Sequence, residues 1–284
     1  MTNAATSAPF AEGDFRVGRV INQSVSVLSR NFPALFLIGV VAYLPIRLAA
    51  LGFTSLTRGT LPVSVTPLRT GIAALLFVLT LLFFSMFSQA VILHAAFQNM
   101  RHQPTNIVES LKVGLRRIFF LLLLAIILGI AALLVAIALS LAVGAVVVMF
   151  RSSAYTGVAT IVAVILGLAV FAFFFTMWFV AVAACVMERR GPFGAMGRSQ
   201  VLTKGHRWRI FGMMLLLFIA ISIISVVVGL ILSPAGSMIV TFLGNLAWSA
   251  IWGAYYAVSV AVSYHDLRVA KEGIDIEQIA SVFD

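Results

Sequence analysis

A single cysteine, Cys185, excludes an intramolecular disulfide and leaves nothing from which to build a cysteine-based zinc or redox site. Set in an apolar run, it reads as a small packing residue. Charge is scarce as well, with Asp, Glu, Lys and Arg making up only 10% of the chain and nine acidic residues in 284. The middles of the long apolar runs contain no Asp, Glu or Lys. An active transporter ordinarily holds its proton, ion or charged substrate with such a group at membrane depth. No GxSxG occurs, and His94, the one histidine inside an apolar run, lies near its end, which argues against a serine hydrolase buried in a bilayer. His102, His206 and His265 are scattered singly, without the carboxylate spacing of a metal-ligand set. No cofactor is implied. Residues 1–13 have no basic segment leading quickly into an apolar stretch, so they read as a disordered tail and not as a cleaved secretory signal.

What the chain does have is apolar surface. With 62% hydrophobic residues and a mean hydropathy of +1.12, it lacks the polar surface to coat a soluble globule. Its apolar runs exceed the roughly 20 residues that a helix needs to cross a hydrocarbon core, and they are far too long for the strands of a β-barrel. The expected fold is all-α, a polytopic integral membrane bundle of six transmembrane helices with three cytoplasmic amphipathic surface helices. The net charge of +10 would suit nucleic acid, but the basic residues sit at the edges of the apolar runs, so no nucleic-acid partner is expected.

From Asp14, a candidate N-cap, Val17, Val20, Ile21, Val25 and Leu28 fall at helical spacing, with Arg16, Arg19 and Arg30 on the opposite face. Spans are expected at about 32–53, 71–97, 118–150, 155–187, 210–232 and 238–264, the last continuing helically to Glu272. Pro45 should kink the first, and Arg47 should snorkel to the interface. The third and fourth runs exceed the roughly 30 Å hydrocarbon thickness, which predicts tilt, projection, or a break near Gly144. Three joints resemble one another: LSRNFPALF (Leu28 to Phe36), LKVGLRRIFF (Leu111 to Phe120) and LTKGHRWRIF (Leu202 to Phe211). They divide residues 14–272 into three units of surface helix, span and span, the second surface helix opening at Asn106 and Glu109 with capping-box spacing. Residues 273–284 are expected to form a short cytoplasmic helix. Six spans put both termini on one side, and that side receives all but four of the 19 Lys and Arg residues, the four being Arg47, Arg58, Arg69 and Arg151. The positive-inside rule makes that side cytoplasmic and the protein a multi-pass bacterial inner-membrane protein.

The segment from Glu188 to Arg209 carries the candidate binding chemistry. Arg189, Arg190, Arg198, Lys204, Arg207 and Arg209 form a basic cluster suited to anionic lipid headgroups, each cation contributing about 1 kcal/mol near a charged leaflet. Trp248, Trp252, Tyr255 and Tyr256 lie deep in span six, where an aromatic belt does not lie, and read as filler between helices or as one wall of an apolar groove for a lipid chain. Glu188, Asp266, Arg268 and Glu272 are candidate ion-pair partners, through Glu188 with Arg198 or Arg268, or Asp266 with an arginine of the basic segment. Gln89, Thr176 and Asn245 are polar within spans and suit interhelical hydrogen bonds. Small residues recur at every fourth position at Ala132, Ala136, Ser140 and Gly144, and from Asn245 to Ala261, which suits close packing inside one bundle or a homodimer seam.

Glu188, Gly191, Pro192, Ala195, Arg198, Ser199, Leu202 and Gly205, followed by Tyr264, Asp266, Leu267, Arg268, Glu272, Gly273 and Asp275, resemble the pattern of the membrane domain of the glycerophosphoryl diester phosphodiesterase family. His265 stands where that pattern has a second tyrosine. In that family the membrane domain can precede a soluble catalytic barrel. Residues up to Asp284 carry nothing resembling the barrel's metal-binding carboxylates and histidines, so the resemblance implies the membrane module alone. The expected role is therefore a lipid-associated scaffold or accessory module without a catalytic centre. A permease for a lipid-like or small amphipathic solute is the alternative, and a phosphodiesterase the least expected. Anionic membrane lipids are the expected partners, with a homo-oligomer or another membrane protein as further candidates.

Overall fold

The computed structural model describes residues 15–58, 66–100, 106–149, 156–232 and 237–272, and these are helical almost throughout. The elements are α1 (Val17–Arg30), α2 (Phe32–Arg58), α3 (Thr66–Met100), α4 (Ile107–Met149), α5 (Thr156–Met177), α6 (Ala181–Met187), α7 (Pro192–Thr203), α8 (Arg207–Leu232) and α9 (Met238–Glu272). Among the described residues six stretches are long and apolar enough to cross a membrane, the fourth combining α5 and α6. The all-α polytopic bundle follows directly from those runs. The proposed tail at 1–13, the candidate cap Asp14 and the short helix at 273–284 lie outside the described residues. The N-cap position of α1 is Arg16, which makes no side-chain capping bond.

α9 is the post of the bundle, with 61% of its most apolar window buried against 6% for α8. Small residues explain how neighbours reach it. A Cβ on Gly39 of α2 would lie 2.8 Å from the Ala250 carbonyl oxygen, and one on Gly253 of α9 would strike the Tyr43 ring at 2.3 Å. The α9 stripe of small residues therefore faces α2 inside the bundle. The α4 stripe does not: Ala136, Ser140 and Gly144 are exposed. Arg47 does not snorkel outward but turns inward, donating to the Asn245 carbonyl oxygen at 3.3 Å and to the Ser249 hydroxyl. A guanidinium away from water needs acceptors, and α9 supplies them.

Two expectations about the joints change. The second surface helix is not a separate element, because residues from Ile107 run unbroken through the span to Met149, so the three units differ in construction. Its cap is shared across helices: Asn106 Oδ1 accepts from the Glu109 N–H at 3.1 Å, while Gln98 of α3 binds both the Asn106 N–H at 3.0 Å and the Glu109 carboxylate at 3.1 Å. The break in a long span falls at Trp178 to Val180 and not near Gly144, which lies within continuous α4. At that break the Met177 carbonyl oxygen accepts from Ser199 Oγ at 2.9 Å and from Thr203 Oγ1 at 3.4 Å. Two hydroxyls one turn apart on α7 thus stand in for a lost helical hydrogen bond.

Candidate functional site: the basic segment and its groove

Pro192 pre-sets the first turn of α7, and Gly205, at φ 88°, turns the chain from α7 into α8. Between these points α7 lies against α6, burying Ala195, Ser199, Leu202 and Thr203. This geometry divides the basic segment into two parts with different surroundings.

The first part is internally paired. Glu188 accepts from Arg198 Nε at 2.6 Å, from Arg190 Nε at 2.7 Å and from the Tyr264 hydroxyl at 2.6 Å. Arg198 also pairs with Glu272, which is held by Arg268 at 2.8 Å one turn back on α9. Arg198 and Glu188 are only 15% and 12% exposed at their side chains, so this is a largely desolvated network tying α7 to the end of α9. Burial by itself would raise the Glu188 carboxyl, but the hydrogen bonds from Tyr264 and Arg198 and the charges of Arg198 and Arg190 hold it below its ordinary value. For Arg198, burial works against the charge, and the bonds and charges of Glu188 and Glu272 outweigh it, raising its pKa. Two expected pairings change: Arg268 binds Glu272 and not Glu188, and Asp266 pairs at 3.1 Å with Arg19 of α1 instead of an arginine of the 188–209 segment. Both acids take the nearest cation that packing presents. Tyr264 and Arg19 are the partners that residue spacing did not reveal.

The second part opens toward a groove. Lys204, Gly205, Arg207 and Trp208 form the mouth of a space of about 470 Å³, walled by Ala169, Ala172, Phe173 and Thr176 of α5 and Phe211 of α8. The Arg207 guanidinium lies 4.8 Å from the Phe173 ring centroid. Its Nε is buried and has no hydrogen-bond acceptor among the described residues. Trp208, 85% exposed, stands at the rim with an amphipathic ring suited to a membrane interface. Lys271 of α9 also belongs here, since a Cβ on Gly205 would lie 3.8 Å from its Nζ. Nothing in the spacing of the sequence brought Lys271 to this point.

The six cations of the proposed headgroup cluster therefore separate. Arg190 and Arg198 serve Glu188, and Arg209 donates to the Phe15 carbonyl oxygen at 3.0 Å, fastening the chain just before α1. Arg189 is exposed at φ 54°, and Lys204 and Arg207 face the groove. The four aromatics of α9 do not form the wall of this groove. Trp248 donates to Ser225 of α8 at 3.0 Å, Trp252 and Tyr255 pack beside the core with ring centroids 5.9 Å apart, and Tyr256 lines a different cavity.

His94 Nδ1 and Ser110 Oγ lie 3.0 Å apart, a nucleophile-and-base distance, but Ser110 is fully buried and no substrate can reach it. Among the described residues no three His, Cys, Asp or Glu gather as metal ligands. A family model described as "Domain of unknown function (DUF7847)" matches residues 15–267. No curated protein and no solved structure matches.

Proposed function

The chain belongs to the family described as a domain of unknown function (DUF7847), and from its own geometry we propose that it is an anionic-phospholipid-binding accessory module of the inner membrane. The observation that carries this reading is the groove between α5 and α8, which has Lys204 and Arg207 at its mouth and Ala169, Ala172, Phe173 and Phe211 along its wall. Arg207 offers a planar fork to a phosphodiester, Lys204 a mobile point charge, and the small alanines leave room for an acyl chain. Both termini and the basic segment lie on the cytoplasmic side in this reading, which rests on the 15 to 4 division of Lys and Arg.

The test is native mass spectrometry after mild delipidation, comparing wild type with Lys204→Gln/Arg207→Gln. Wild type should retain anionic phospholipid, and the double variant should lose it at an unchanged unfolding temperature, because neither side chain forms an ion pair among the described residues. Equal retention by both proteins would reduce these cations to topology signals. A permease for a lipid-like solute remains the second reading, favoured by the break at Trp178 to Val180, since interrupted helices are where many transporters bind their substrates. Solute flux in proteoliposomes separates the two. The phosphodiesterase reading draws no support from the Ser110 and His94 geometry.

A further inference from the structure

The broken span borders a second space, separate from the groove of Lys204 and Arg207. It encloses about 320 Å³ among α3, α4, α5, α6 and α9. Most of its lining is apolar, but three residues with polar groups belong to it: Gln89 of α3, Tyr256 of α9, and Trp178 at the break. Trp178 Nε1 is buried and has no hydrogen-bond partner among the described residues. Polar groups inside a membrane bundle are normally satisfied by one another, because lipid offers them nothing. A buried, unpartnered indole N–H beside a cavity that Gln89 and Tyr256 also line is the arrangement left when part of the hydrogen bonding is meant for an occupant.

The lining fixes the chemistry of that occupant. Among the described residues no charged side chain borders the cavity, so an ion would enter without compensation. Phe171 and Phe175, 41% and 50% exposed, form its edge on the lipid-facing side of α5, so entry is from the bilayer. The volume lies at the lower end of the roughly 300–1,000 Å³ of small-molecule pockets and is too small for a whole phospholipid. All three polar groups can donate, and Gln89 and Tyr256 can also accept. We propose that this cavity is a binding site for an uncharged, lipid-soluble molecule that presents a hydroxyl or carbonyl oxygen to Gln89, Trp178 and Tyr256. The site is independent of the phospholipid groove and does not rest on it.

The experiment uses the full chain in phospholipid nanodiscs, photolabelled with 3-azioctanol, a medium-chain alcohol carrying a diazirine, with adducts mapped by peptide mass spectrometry. Labelling should saturate, concentrate on the residues lining the cavity, and be displaced by excess 1-octanol. A diazirine-bearing octanoate of the same length should label these positions far less. Gln89→Leu should weaken labelling by about fivefold, the worth of one hydrogen bond, and Ala132→Leu, which fills the space, should abolish it. Lys204→Gln/Arg207→Gln should leave it unchanged, so the loss of phospholipid retention and the loss of alcohol labelling are separable results. Where either cavity variant fails to fold, competition by 1-octanol on wild type decides alone. Non-saturating adducts spread over the lipid-facing helices, no displacement by octanol, or equal labelling by the carboxylate would each overturn the assignment.

Discussion

The two halves of the basic segment have similar composition and opposite fates. Around residues 188–198 every arginine with an acid in reach is consumed by it, with Arg190 and Arg198 on Glu188 and Arg198 again on Glu272. At 204–208, Lys204 and Arg207 instead face an apolar groove, and Arg207 stacks on Phe173. Position in the fold, and not basicity, separates a structural cation from one available to a ligand. Desolvated charges hold structure together only when paired, whereas charges at a groove mouth keep their capacity for an external anion.

The sharpest way to break this comparison is to remove the central cation of the paired half. Arg198→Glu leaves Glu188 and Glu272 facing a third carboxylate in a region only 12% to 22% exposed at their side chains. Removing one partner of such a network costs about 3 kcal/mol. The unfolding temperature in detergent, followed by circular dichroism, should fall by several degrees, and the added change Glu188→Arg should recover part of it. The same exchange between positions 268 and 188 should recover nothing, because Arg268 contacts Glu272 and not Glu188. Equal recovery by both exchanges would mean that the network is diffuse electrostatics and not the specific pairing described.

Acid titration sharpens the comparison from the other partner. The Glu188 carboxyl is depressed in the folded state, so its contribution is complete above the unfolded value of about 4.3 and is lost as pH falls through the lower folded value. Wild-type stability should therefore be level from neutral pH down to about pH 4 and decline below it. Glu188→Gln should begin lower and show a flatter acid limb. Identical acid limbs would assign the decline to other carboxylates.

Much of this was legible in the sequence because hydropathy alone specifies a membrane helix, and so the six spans and their order could be read from run lengths. The paired residues were visible too, as the charged positions flanking spans four and six. Glu188 with Arg198 was one of the two pairings read for that acid, and the turn at Arg189 to Gly191 realises it; the pairings of Arg268 with Glu272 and of Arg19 with Asp266 were not legible, since they depend on how α1, α7 and α9 pack. The break at Trp178 was hidden because neither Gly nor Pro marks it. Its only trace is the Ser199 and Thr203 pair at one-turn spacing on α7, which has meaning once Met177 lies opposite. The deep aromatics of α9 drew attention to a groove on that helix, whereas the open space lies between α5 and α8, where Ala169 and Ala172 leave room that no periodicity rule registers. Trp252, Tyr255 and Tyr256 pack against the core and Trp248 against Ser225, which accounts for the aromatics as packing.

The smallest expected effect concerns Arg189, which sits between the acid that consumes its neighbours and the turn that makes the pairing possible. It is the one non-glycine residue with positive φ among the described residues, at 54°, and its side chain is exposed. A left-handed backbone costs a residue with a Cβ about 1 kcal/mol, which glycine avoids. Glycine also gives the unfolded chain more freedom, which offsets part of that relief. Arg189→Gly should therefore raise stability by about 0.5 kcal/mol, and Arg189→Val should lower it, because a β-branched side chain tolerates this conformation least. Anionic-lipid retention should not change with either substitution, since the groove mouth is formed by Lys204 and Arg207. If Arg189→Gly instead strips phospholipid at unchanged stability, the division between a structural and a ligand-facing half must be redrawn, with the strained arginine on the ligand's side.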